Sequence, residues 1–107
     1  MFDMYQEVKL TELPELVKKL SEAGITFDAC GNLGGINFQI PSREAFNKGE
    51  KCAISVACHN GSYGHEKGLF EVYAPQLNVG VEGWLNAEET FEYIQDTLKG
   101  ILRGSIG

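Results

Sequence analysis

Cys52, Cys58, His59 and His65 lie close together in the chain, between KCAISVACHN and the glycine-rich GSYGHEKG that follows it. Thiolate and imidazole ligands gathered in this way are what a zinc site uses. The spacing argues otherwise, because structural zinc sites draw paired ligands from tight knuckles such as C-x2-C and no such pair occurs here. Alternation along a strand also sends Cys52 and Cys58 to one face and His59 to the other, so no metal is expected. A nucleophile would need Ser62 or Cys30 beside His59 or His65. Gly61-Ser62-Tyr63-Gly64 is not a G-x-S-x-G elbow, since the serine stands one place early and no helix follows. The glycines of 31–35 precede a strand and not a helix, so they read as a turn and not as a phosphate cradle.

Recognition surfaces are the better expectation. Glu88, Glu92 and Asp96 recur every four residues on one side of a helix, with Glu82 and Glu89 nearby. Dipole-favoured acids on a solvated face account for them, and so does an acidic stripe that docks on a basic protein groove. Tyr63, Tyr73 and Trp84 are natural interface anchors, because aromatic residues dominate binding hot spots. A second possibility is a small-ligand or metal site built from His59, His65, Cys30 and Glu71.

These residues must be positioned by the elements around them. Thr11 reads as an N-cap for an amphipathic helix over 12–24, with Pro14 in its first turn, Leu13, Leu16, Val17 and Leu20 inward, and Gly24 closing it. Ile25, Phe27 and Ala29 alternate with polar residues, and Gly31 to Gly35 is turn chemistry. Ile36, Phe38 and Ile40 alternate again, so the pair makes a hairpin ended by Pro41. A short helical turn over 42–46 would anchor through Phe46. A second hairpin joins Lys51–His59 to Leu69–Ala74 through the glycine loop. Residues 76–84 read as a short strand or an extended linker, and residues 1–9 as a strand or a helical start. Asn86 with Glu89 forms a capping box for a last helix over 87–102, whose stripe is Phe91, Ile94, Leu98 and Ile101.

The expected fold is α+β: an antiparallel four- to five-stranded sheet with two helices on one face, in the order α-β-β-β-β-(β)-α, as a single domain over 1–107. The other face, with Thr26, Asp28, Asn37, Gln39, Ser55, His59, Glu71 and Tyr73, is left for solvent or a partner.

Bulk composition narrows the function classes. The 107 residues carry 15 acidic and 9 basic side chains, a formal charge of −6, which disfavours non-specific nucleic-acid binding and anionic membrane surfaces. No apolar run reaches membrane-spanning length, and MFDMYQEVKL lacks the basic, then apolar, layout of a secretory signal. Three cysteines in no framework pattern suit reduced thiols in the cytoplasm.

Ser62-Tyr63-Gly64, Gly68-Leu69-Phe70-Glu71, Gly83-Trp84-Leu85-Asn86-Ala87-Glu88-Glu89 and Tyr93-Ile94 together resemble small uncharacterised proteins of phages and mobile elements. There, an SYG…GL-x-E strand pair precedes a G-aromatic-L-T-x-E-E helix start; Asn86 replaces the threonine and keeps the cap. The resemblance brings no activity and no catalytic residues, and it implies an accessory protein that acts by binding. The expectation is therefore a non-enzymatic protein-binding module without a cofactor, such as an inhibitor or anti-defence factor. A homodimer formed through the open sheet face is the structural alternative.

Overall fold

A computed structural model describes residues 8–75 and 81–99 of the chain. The elements in chain order are α1 (Leu13–Glu22), β1 (Asp28–Asn32), β2 (Gly35–Ile40), α2 (Arg43–Asn47), β3 (Ile54–Cys58), a 3-10 turn (His65–Lys67), β4 (Phe70–Tyr73), β5 (Glu82–Leu85) and α3 (Ala87–Leu98). The five strands form one antiparallel meander in the order β1-β2-β3-β4-β5. Among the described residues no helix is long and apolar enough to cross a membrane.

Strand register explains the core. Phe38, Val56 and Val72 are directly opposed across β2, β3 and β4, flanked by the pairs Ile40–Ile54 and Ile36–Cys58 and, on β5, by Phe70–Leu85. Against this row pack Leu16 and Leu20 of α1 and Tyr93 and Ile94 of α3, all buried. A buried leucine or phenylalanine contributes on the order of 1.5–3 kcal/mol, so this one cluster is the main apolar contribution to the fold. The two long helices lie side by side, with Lys19 of α1 placed 5.7 Å from the Phe91 ring centre.

Several expectations are corrected. The first helix begins at Leu13, with Glu12 and not Thr11 at its N-cap, and Glu12 makes no side-chain cap bond to its own helix. Its carboxylate instead accepts the Ala87 N–H at 2.8 Å, so α1 supplies a cap for α3. Gly24, at φ +70, does follow the helix end. Strand β1 starts at Asp28, later than the alternation suggests; Ile25 and Phe27 pack on the core from the preceding segment. Ala29 is exposed, because β1 is the far edge of the sheet while α3 lies over β4 and β5. The turn narrows to Leu33 and Gly34, at φ 45 and 79, the positive pair that matches strand twist in a two-residue hairpin loop.

The helical turn after Pro41 is a third, five-residue helix capped by the Ser42 hydroxyl, and its buried residue is Ala45, with Phe46 only half-buried. The fifth strand is real but falls at Glu82–Leu85; Leu77 and Val79 lie outside the described residues. The last helix is described to Leu98, and its buried face is Ala87, Thr90, Tyr93, Ile94 and Thr97, while Leu98 is exposed. Ile101 and residues 1–7 also lie outside the described residues. Val8 to Leu10 run as coil, with the Val8 N–H donating to the Gly34 carbonyl at 3.0 Å.

Candidate functional site

The loop between β3 and β4 is built from its own polar side chains. The His59 N–H donates to Ser62 Oγ at 2.9 Å, and that hydroxyl in turn donates to the His59 carbonyl, also at 2.9 Å. His59 Nδ1 accepts the Gly61 N–H at 3.0 Å, so this nitrogen is bare and the proton sits on Nε2. His65 does the opposite: its Nδ1 lies 2.6 Å from the Ser62 carbonyl, which can only accept, so Nδ1 carries the proton. Asn60 reaches across to the Leu33 carbonyl of the first hairpin through both its backbone and side-chain nitrogens. Glu71 completes the loop by accepting the Tyr63 N–H at 2.8 Å.

Two glycines make this packing possible. A Cβ on Gly68, already at φ +71, would stand 2.6 Å from the Lys9 carbonyl, and one on Gly83 would stand 2.5 Å from Tyr63 Cβ. The loop is thereby pressed against the Lys9–Thr11 segment on one side and β5 on the other.

This geometry sorts the residues singled out by type. Ser62 is buried and its hydroxyl is taken up by the turn; His65 addresses the Ser62 carbonyl and not its Oγ. They are not arranged as nucleophile and base. Cys58 is fully buried, and burial pushes its thiol up to about 11, which makes it inert at neutral pH. Cys52 precedes β3 and is half-buried, short of the core position its parity suggests, and Cys30 is exposed. The open sheet face carries the row Cys30, Asn37, Ala57, Glu71 across β1 to β4. Three strand spacings separate its ends, roughly 14 Å, so Cys30 does not join Glu71. Among the described residues no three His, Cys, Asp or Glu side chains are grouped to hold a metal.

The face is also less open than alternation implies. Gln39 and Ala57 are buried on it, with Arg43 of α2 reaching Gln39 and the Arg43 N–H donating to Asp28 at 2.8 Å. Asn37 donates to Ser55 Oγ at 3.2 Å and to the Val56 carbonyl at 3.1 Å, and accepts from Gln39.

Several large apolar side chains also remain outward. Among the described residues the exposed large hydrophobic side chains are Tyr63 (65%), Trp84 (50%), Val81 (47%), Tyr73 (40%) and Leu98 (40%). All but Leu98 belong to β4, β5 or the residues leading into them. The pairs Phe70–Leu85 and Val72–Glu82 leave Gly83 and Trp84 together opposite Glu71, a β-bulge. Trp84 sits within it at φ +62, a region that bulky residues rarely adopt. The Trp84 N–H points to the Tyr63 carbonyl at 3.5 Å, and Gly64 backs directly on the Trp84 backbone. Tyr63 and Trp84 are therefore coupled neighbours. Val81 and the bulge escape sequence reasoning, although a glycine inside a strand pattern is the signal for one. Of the acidic helix, Glu88 and Glu92 are exposed, Asp96 is half-buried, and Glu89 is committed to the capping box. Comparison of the chain with protein-family models, curated proteins and solved structures found no match.

Proposed function

We propose that this chain is a non-enzymatic protein-binding module, an accessory or inhibitor protein of the kind that phages and mobile elements carry. It engages its partner through Tyr63, Tyr73, Val81 and Trp84. The observation that carries this reading is the gathering of exposed apolar side chains on β4, β5 and the adjoining loop. Aromatics of this size contribute most of the energy where they are desolvated at an interface. Trp84 adds weight, because a bulky residue held in the left-handed region costs stability, and such strained positions cluster at functional sites. His59, Ser62, His65 and Glu71 act here as the frame that presents Tyr63. A cytoplasmic setting accords with three unpaired cysteines.

Capture of partners from host lysate by the immobilised chain tests the reading. A specific partner retained by the wild type is expected to be lost with Tyr63→Ala and with Trp84→Ala. It should be kept by Leu98→Ala and by charge reversal at Glu88, Glu92 and Asp96. Retention through both aromatic truncations, or loss only on charge reversal of the helix, would overturn it.

A further inference from the structure

We infer that the free edge of β1 pairs with the same edge of a second copy of this chain, antiparallel and centred on Cys30, joining two five-stranded sheets into one. This edge lies across the sheet from β4 and β5, so the inference stands apart from the docking reading above. A two-residue turn closes on a hydrogen-bonded pair, here Asn32–Gly35, and such pairs alternate along an antiparallel ladder. Asp28, Cys30 and Asn32 therefore spend their backbone N–H and C=O groups on β2, whereas Ala29 and Gly31 turn theirs away from the sheet. Among the described residues no backbone group from a turn or loop meets them, and Asp28 to Gly31 are all exposed.

What fits such an edge is decided by its own sequence. Edge strands are ordinarily blunted by lysine, proline or a bulge. Strand β5 is of that kind, with four residues and the bulge at Gly83 and Trp84. Strand β1 has none of these: DACGN keeps an unbroken register against β2, and its one charge is Asp28. Set antiparallel to itself, with Cys30 opposite the partner's Cys30, the strand is self-complementary. Ala29 then faces the partner's Gly31 and Gly31 faces the partner's Ala29, as hydrogen-bonded pairs that use the outward groups of both residues. Asp28 falls opposite the partner's Asn32, so the two carboxylates are kept apart. Moving the register by two residues in either direction leaves Ala29 or Gly31 opposite its own copy and the other facing a residue outside the strand.

Cys30 reports the register, because partners in a non-hydrogen-bonded pair stand about 4.5 Å apart at Cα, within the roughly 4.4–6.8 Å that a disulfide spans. Sedimentation equilibrium of the full chain in reductant, over a range of concentrations, tests the pairing. The average mass should rise from 11.8 kDa toward twice that value, and more readily with added salt, since each copy carries −6. Cys30→Ser and Gly31→Ala should associate as wild type does; a Cβ on Gly31 meets nothing nearer than the Gly35 carbonyl at 3.9 Å. Gly31→Pro deletes an outward N–H, and Cys30→Lys sets like charges opposite each other, so each should weaken association at least tenfold. Lysine at this exposed position leaves every backbone bond in place, which covers the case of a proline variant that fails to fold. Diamide joins two thiols by taking up both their hydrogens, and is itself reduced to the hydrazine. It should link wild type into a covalent dimer and spare Cys30→Ser. A monomer at every concentration, association that Cys30→Lys leaves intact, or a dimer that diamide does not join through Cys30 would each overturn the inference.

Discussion

Trp84 occupies a backbone conformation, φ +62, in which a Cβ collides with the neighbouring carbonyl at a cost of roughly 1–2 kcal/mol. Glycine escapes that cost, so the usual order of the two small residues should invert here. Trp84→Gly is expected to be more stable than Trp84→Ala by about 1 kcal/mol in urea unfolding, although alanine normally wins inside a strand. Alanine equalling or exceeding glycine would show that position 84 is not held left-handed. Comparing the two truncations removes the contribution of the lost indole, which both share. Residue identity alone singled out Trp84, Tyr63 and Tyr73, and all three are exposed. It could not show that Ser62, His59 and His65 spend their polar atoms on a turn. That outcome depends on the dihedrals of Gly64 and Gly68, at φ 93 and 71, which no side-chain inventory contains.

Helix α3 shows where local chemistry sufficed and where it did not. The Asn86–Glu89 capping box is present as read, with both reciprocal bonds at 2.8 and 3.0 Å, because its partners are three residues apart. The buried stripe is rotated from Phe91, Ile94 and Leu98 toward Thr90, Tyr93, Ile94 and Thr97, because α1 arrives from one side and sets which face is covered. Two threonines therefore enter the core, and the Thr90 hydroxyl has no hydrogen-bond partner there. A buried hydroxyl without a partner forfeits its hydration for nothing, a cost of about 1–3 kcal/mol. Thr90→Val, nearly the same shape, should unfold at equal or higher denaturant concentration, by up to about 1 kcal/mol. A clear loss of stability would mean that the hydroxyl is satisfied in solution. The bond between Glu12 and the Ala87 N–H was likewise beyond sequence reading, since nothing in either segment announces a contact across 75 positions.

At the scale of the molecule, the antiparallel sheet and its hairpins were legible because alternation and turn residues mark each one, whereas the strand order β1-β2-β3-β4-β5 was not, since pairing between hairpins depends on contacts no local pattern encodes. The limits of each strand were also less legible; β1 sits beyond the cover of the helices, and its pattern promised more burial than an edge can give. One global property follows from the core. Cys58 ionises near its ordinary value in the unfolded chain and at about 11 when folded, so the folded state holds a proton that the unfolded state has lost. Its contribution is complete below the unfolded value and is lost as pH rises toward 11, at about 1.4 kcal/mol per pH unit. Denaturation between pH 8 and 11 should show wild type losing stability faster than Cys58→Ala, which lacks the titration; parallel curves would contradict it. The contact between Glu12 and Ala87 has a further consequence, for the order in which the chain is made. The hairpins can pair as they leave the ribosome, but α1 gains α3 as its neighbour only after all five strands have been synthesised. Until α3 appears, Leu16 and Leu20 lack the part of their cover that Tyr93 and Ile94 supply, and any stall in translation before residue 87 leaves the apolar face of α1 partly open and adhesive.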